Sequence, residues 1–490
     1  MLFYSYEFLF FFLPLSFFTY YLFLHYKCVT AAKLFLVSSS LFFYAWWNVM
    51  YLPILIGSVL FNYFLSKKMR MHMPEAYVSK KKLLIFGISS NVLLLAYFKY
   101  SDFLITNFNV VMQSDISLLN LALPLAISFF TFQQIAYLVD TYFEKNSEKS
   151  FLNYTLFVTF FPQLIAGPIV HHSEMMPQFS SRWNLVKKYH NIAQGLSIFA
   201  MGLFKKVVIA DSFAVYATTG FDHAHVLTFL EAWATSLSYT FQIYFDFSGY
   251  TDMAIGIALL FNIKLPQNFN SPYKAINIQD FWRRWHMTLS RFLRDYIYIP
   301  LGGSRNGTRH TYVNIFTTFL LAGLWHGAGW TFVFWGFLHG LALVVHSIWR
   351  SFKLEIPKVI AWTITFVFIN ISWVFFRSEE LSDAVKVLKG MLGFSGFVLS
   401  NTYENLIPSW IMTYVVLGMP TVHIGDSMTI LAWIVVGFSI SIVFRNSNEI
   451  IENYKYNWFK SVGVSFLIFT SLMYLFFGKT AQSEFLYFNF

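Results

Sequence analysis

Long stretches almost empty of charge restrict this chain more than any other feature. Apolar segments lie at 8–25, 34–47, 50–65, 83–98, 116–138, 152–170, 193–218 and 227–262, then at 312–350, 358–376, 406–419, 428–444 and 460–477. At about 20 residues per crossing these allow roughly eleven to thirteen transmembrane spans. Only 12% of the 490 residues are charged and 57% are hydrophobic, about half the charge of a soluble domain. An ordinary water-soluble enzyme is excluded. Sixty Phe, 29 Tyr and 15 Trp add the aromatic load that membrane interfaces favour. The lone Cys28 excludes an internal disulfide framework, a zinc cluster and a CxxC redox pair. The expected fold class is an all-α polytopic membrane protein, one integral-membrane body over 1–490. No duplicated halves are visible, which weighs against an inverted-repeat transporter.

Orientation follows from the basic loops. No Lys or Arg precedes Lys27, and no small-residue cleavage site follows the first apolar run, so that run is expected to stay as a span rather than leave as a signal peptide. Segment 66–82 carries Lys67, Lys68, Arg70, Lys80, Lys81 and Lys82 against one Glu. Short loops of this kind stay in the cytoplasm. Counting back puts the N-terminus outside.

The scarce polarity gathers in the middle of the chain. In FVTFFPQLIAGPIVHHSEMMPQF (157–179), Pro162, Gly167 and Pro168 break a helix at membrane depth. Such a break needs protein or a cavity around it; a kinked packing helix and a cavity lining with His171, His172 and Glu174 at its mouth both fit. Lys205 and Lys206 interrupt GLFKKVVIAD (202–211). They either snorkel to the interface or form a cationic lip for an anionic substrate. Asp246 and Asp252 interrupt 239–260 and are site candidates or partners of nearby cations.

The clearest single element is NIQDFWRRWHMTLSRFLR (277–294). Asn277 can cap it, and Ile278, Phe281, Trp282, Trp285, Leu289, Phe292 and Leu293 form one apolar stripe. Arg283, Arg291 and Arg294 collect on another side. The spacing predicts one amphipathic helix lying at the cytoplasmic interface, with His286 in its buried row. Further on, His326 lies in an apolar segment and is followed by Gly327, Ala328 and Gly329. Small residues there let a backbone or a substrate approach the imidazole, and a neutral His can take a proton from a hydroxyl. His339 and His346, seven apart, share a helix face and suit a bridge between helices. Gly425-Asp426-Ser427 and Asp222-x-x-His225 echo the two blocks of SGNH hydrolases, but in reversed order, and carry no assignment.

Six stretches resemble the membrane-bound O-acyltransferase (MBOAT) family, in its bacterial alginate and peptidoglycan O-acetylation branch. They are LPLAISFFTFQQIAYLVDTY (123–142), FFPQLIAGPIVHHSEMMPQF (160–179), GLFKKVVIAD (202–211), YTFQIYFDFSGYTDMAIGIALLF (239–261), LPQNFNSPYKAINIQDFWRRWHMTLSRFLRDYIYIPLGGSR (265–305) and LWHGAGWTFVFWGFLHG (324–340). The resemblance implies a ring of tilted helices around a thin core with a tunnel or funnel, plus interfacial amphipathic helices, and puts the catalytic core at about 123–346. It implies His326, in the WHG motif, as catalytic general base, and His286, in the RWH motif, as a second catalytic histidine.

It further implies acetyl-CoA as donor, no resident cofactor, no metal and no nucleic acid. The donor would enter where Lys274, Arg283, Arg284, Arg291, Arg294, Arg305 and Arg309 cluster; Lys205, Asp246 and Trp325 are further candidates for binding it. The implied place is the bacterial inner membrane, and the implied partner an extracytoplasmic SGNH-type acetyltransferase or acetyl-acceptor protein. Two alternatives stay open. One is D-alanyl transfer to teichoic acid from a carrier protein; the other is a transporter with Asp246, Asp252 and Lys205 lining an ion path.

Overall fold

The apolar segments fold as helices in the computed structural model, which describes residues 1–71, 77–144, 148–400, 416–418, 427–452, 457–478 and 485–486. The first half runs α1 (Leu13–His25), α2 (Val29–Ala45), α3 (Leu52–Met71), α4 (Tyr77–Met112), α5 (Ile127–Tyr142), α6 (Phe151–Thr159) and α7 (Phe161–Leu164). Then come α8 (His172–Ser180), α9 (Tyr189–Phe204), α10 (Asp211–Thr218) and α11 (Phe229–Leu260). The second half holds α12 (Ile278–Trp282), α13 (Met287–Leu293), α14 (Thr308–His326), α15 (Trp330–Ser351), α16 (Lys358–Arg377) and α17 (Leu381–Met391). The last are α18 (Ser427–Phe438), α19 (Ser447–Glu452) and α20 (Trp458–Phe477). Among the described residues the strands are a parallel pair of three residues each, β1 (Val398–Ser400) and β2 (Val416–Gly418).

Six described helical stretches are long and apolar enough to cross a membrane: Glu7–His25, Val49–Met71, Lys80–Met112, Trp330–Ser351, Lys358–Arg377 and Trp458–Phe477. That is fewer than the eleven to thirteen spans expected: near the two ends the apolar helices Val29–Ala45 and Met428–Val443 are shorter, and the rest of the difference lies in the middle of the chain. There the apolar runs are cut into short helices, as at α6–α7, or carry buried charge, as α11 does. Segment 116–138 begins as irregular chain and turns helical only at Ile127, after Ala126 in the left-handed region (φ 61°). Most of 406–419 and the residues Gly425 and Asp426 lie outside the described residues. Asp222 pairs with Arg377 at 2.5 Å.

The axis of the core is α11. A capping box opens it: the Thr228 backbone N–H donates to Glu231 at 2.9 Å, satisfying helix-end donors reciprocally. From Ser238 to Leu260 every residue is buried, as expected of a helix apolar on nearly all sides. Two glycine pairs seven residues apart bring α9 against it in antiparallel fashion. A Cβ on Gly195 would stand 2.6 Å from the Gly256 carbonyl oxygen, and one on Gly202 2.6 Å from that of Gly249. The reverse contacts are equally close, Gly256 against Gly195 at 2.6 Å and Gly249 against Gly202 at 2.8 Å. The backbones therefore touch where only glycine fits. Gly249→Leu is expected to force α9 off α11 and cost about 1–3 kcal/mol, read as a lower melting temperature in detergent; Gly57→Leu, where a Cβ meets nothing within 4 Å, is the control.

Candidate active site

Against α11 the expected amphipathic element is present but broken. Asn277 Oδ1 accepts from the Asp280 amide at 2.8 Å, capping α12, and all seven residues of the apolar stripe are buried. The single helix predicted over 277–294 is instead two, α12 and α13, because His286 takes the left-handed conformation (φ 43°, ψ 54°). A non-glycine residue held there costs of order 1–3 kcal/mol and needs its surroundings to hold it. A clasp from 268–270 does so: the Met287 amide donates to the Asn268 carbonyl, and the Asn270 amide to the Arg284 carbonyl, both at 2.9 Å.

His286 is fully buried. Its ring stands edge-on to Phe247 at 4.8 Å, and its Nδ1 lies 3.1 Å from Asn268 Oδ1. His326, the last residue of α14, is 2% exposed, boxed by Trp325 at 4.8 Å, Trp335 at 5.1 Å and Phe376 at 5.0 Å between ring centres. Trp325 joins the two histidines, with its ring 6.4 Å from that of His286. It also stacks on Phe132 of α5 at 5.0 Å. Its indole Nε1–H is buried with no acceptor among the described residues. Of the small residues after His326, Gly327 serves packing, since a Cβ there would collide with the Phe332 ring, whereas one on Gly329 would meet nothing nearer than 3.6 Å.

Lys99 was not singled out by sequence. The last carbonyls of a helix have no partner within it, and Lys99 Nζ reaches across to those of Trp325 (2.5 Å) and His326 (3.1 Å). Tyr100 donates to the Leu324 carbonyl beside it. A cation at a helix C-terminus also meets the negative end of the helix dipole, so α4 fixes the end of α14 on which His326 sits. The available signal was one Lys inside an apolar run. His339, by contrast, uses both ring nitrogens structurally. Nδ1 accepts from Trp282 Nε1 at 3.2 Å, and Nε2 lies 3.1 Å from Ser372 Oγ, bridging α12, α15 and α16.

The arginines divide. Arg284 turns to Asp280 (2.8 Å), Arg291 to Glu174 (2.6 Å) and Arg294 to Asp295 (2.7 Å); Arg283 is exposed and has no ion-pair partner among the described residues. Arg283, Arg291 and Arg294 line a cleft of about 580 Å³ with Trp282, Met287 and Phe319, which Arg284 does not enter. Arg291 also borders a second cleft of about 680 Å³ with His171, Glu174, Tyr296 and Arg305. There Tyr296 donates to Asp140 at 3.1 Å and lies 3.0 Å from His171 Nδ1. Burial and then the Asp140 carboxylate push the Tyr296 phenol well up, so it stays protonated. His172 faces Glu148 instead, at 3.6 Å.

Lys205, Lys206, Asp246 and Asp252 are each paired with an opposite charge. The wide turn Lys205–Ala210 aims the two lysines apart. Lys205 pairs with Asp252 at 2.7 Å, and Lys206 with both Asp246 (2.7 Å) and Asp211 (2.8 Å). Asp246 also accepts from the Leu486 amide at 2.9 Å. Lys206 and Asp246 are each 1% exposed. Lys206 therefore does not snorkel, and Lys205 (with Asp252) and Asp246 (with Lys206 and Asp211) stand in two neighbouring ion-pair groups at the junction of α9, α10 and α11.

Residues 4–379 match the model of the membrane-bound O-acyltransferase family. A peptidoglycan O-acetyltransferase of Helicobacter pylori is 51% identical over 99% of this chain and 96% of its own length. A probable alginate O-acetylase of Pseudomonas putida is 38% identical over 82% of each chain. A teichoic acid D-alanyltransferase of Bacillus subtilis is 26% identical over 53% of this chain and 70% of its own.

Proposed function

This chain belongs to the membrane-bound O-acyltransferase family, and on that premise we propose that it takes acetyl from acetyl-CoA in the cytoplasm for O-acetylation of a cell-surface polysaccharide, peptidoglycan in the first instance. The observation that carries the reading is the convergence of His326 and His286 on Trp325 in a buried core, which Trp335 and the cleft residue Trp282 separate from the arginine-lined cleft by one aromatic layer. The phosphates of the donor suit Arg283, whose charge no carboxylate among the described residues offsets, with Arg291 and Arg294 on the same wall. The apolar side of the cleft, Trp282, Met287 and Phe319, suits the donor's thioester arm.

His326 acts as general base: it takes the proton of an acceptor hydroxyl as that oxygen attacks the thioester carbonyl. The proton then leaves on the thiol. Trp325 Nε1–H donates to the carbonyl oxygen as it gains charge, which would meet an otherwise unmatched buried donor. The acetyl group passes outward to an extracytoplasmic acetyltransferase of SGNH type or another acetyl-acceptor protein. The membrane is the bacterial inner membrane, with the N-terminus outside.

Purified protein in liposomes, given acetyl-labelled CoA, tests this. Transfer of label to an acceptor supplied on the opposite side is expected, with Arg283→Gln raising KM more than it lowers kcat. Transfer that requires a D-alanyl carrier protein would overturn the acetyl reading in favour of teichoic acid D-alanylation.

A further inference from the structure

We infer that Asn268 is a positioning residue that locks His286 into one tautomer, with the proton on Nδ1 and the lone pair on Nε2. The inference rests on the acyl-transfer reading above only for the use to which that lone pair is put. Asn268 is fully buried, and its side-chain oxygen receives three groups: the Thr288 amide at 3.2 Å, Thr288 Oγ at 2.9 Å and His286 Nδ1 at 3.1 Å. A backbone N–H can only donate, so the atom facing it must be the amide oxygen and not the nitrogen. The orientation of Asn268 is thereby fixed. An oxygen 3.1 Å from Nδ1 in turn requires a proton on Nδ1, because two acceptors at that distance repel.

In neutral imidazole one nitrogen carries the proton and the other the lone pair. His286 therefore presents Nε2 as its basic atom. Toward a substrate it is an acceptor, not a donor to the acyl oxygen. The strained left-handed backbone of His286 and the two clasp hydrogen bonds from 268–270 hold the ring against the oxygen that sets it. When the acceptor hydroxyl closes on the thioester carbonyl its proton must pass to a base, and it departs on the thiol. That base is His326 in the reading above; the Nε2 lone pair of His286 accepts a hydrogen bond from the same hydroxyl and orients it. Asn268 itself touches no substrate; it acts through the imidazole.

The test reads the tautomer directly. Full-length protein labelled with 15N at histidine and reconstituted in lipid is examined by solid-state NMR, with the His286 signals assigned by their loss in His286→Asn. The expected spectrum has a protonated Nδ1 and an unprotonated Nε2. Asn268→Asp keeps the acceptor and the tautomer. Asn268→Leu mixes the tautomers and lowers kcat by about 10- to 100-fold, the usual cost of losing such a supporting partner, with KM nearly unchanged. A protonated Nε2 in the unmodified protein overturns the proposal with no variant needed. So does Asn268→Leu that keeps the Nδ1–H form. If the tautomer is as stated but no acetyl donor supports transfer, the reaction assigned above fails while the role of Asn268 in setting His286 stands.

Discussion

Replacing His326 with glutamine is expected to lower acetyl transfer by roughly 10²–10⁴-fold, the usual worth of a general base, while the protein keeps its melting temperature. Glutamine fills much of the imidazole's volume inside the box of Trp325, Trp335 and Phe376, and it cannot take a proton near neutral pH. His326→Ala gives the same loss of transfer with an added drop in stability, because it empties a site that is 2% exposed. The pair separates chemistry from packing. Undiminished transfer in His326→Gln removes the residue from the reaction. Losses of transfer that track losses of melting temperature across both variants return it to a purely structural place beside His339. The backbone anchor is independent of the ring: Lys99 binds the carbonyls of Trp325 and His326, which both variants retain.

What the sequence reveals of this site follows from range. Burial of His326 and of the 278–293 stripe is local periodicity, and each of those positions is indeed inside. The break at His286 is not local. A 3.6-residue pattern runs through a single left-handed residue without a visible gap, and what holds that residue is the 268–270 segment, well upstream in the chain. Lys99 is a stronger case, since its partners lie 226 and 227 residues away; nothing near it in sequence announces a helix end. The glycines of α9 and α11 lie between. Each helix carries its two glycines seven apart, a legible signal of a close-packed face, but which helix meets which is a property of the fold.

Lys206→Met is expected to remove most of the folded protein, a larger loss of stability than forcing α9 off α11 at Gly249. The physical reason is asymmetry. Lys206 stands between Asp211 and Asp246 at 2.8 and 2.7 Å, all three at most 3% exposed. Exchanging a whole buried charge cluster for neutral groups is often harmless, whereas removing one partner strands a buried charge at a cost of about 3–5 kcal/mol. Here the removed partner would strand two carboxylates. Lys205→Met is expected to do less, because Lys205 is 14% exposed on its side chain, and Asp252 keeps the Ser447 hydroxyl at 2.6 Å. The triple variant Lys206→Met, Asp211→Asn, Asp246→Asn should recover folded protein, read as the monodisperse fraction on size exclusion and as melting temperature. The same set decides what Asp246 is for. A donor-binding Asp246 predicts a folded triple variant with a raised KM for the acetyl donor. A bracing Asp246 predicts that KM returns with the fold, which is the outcome its burial against Lys206 and the Leu486 amide favours.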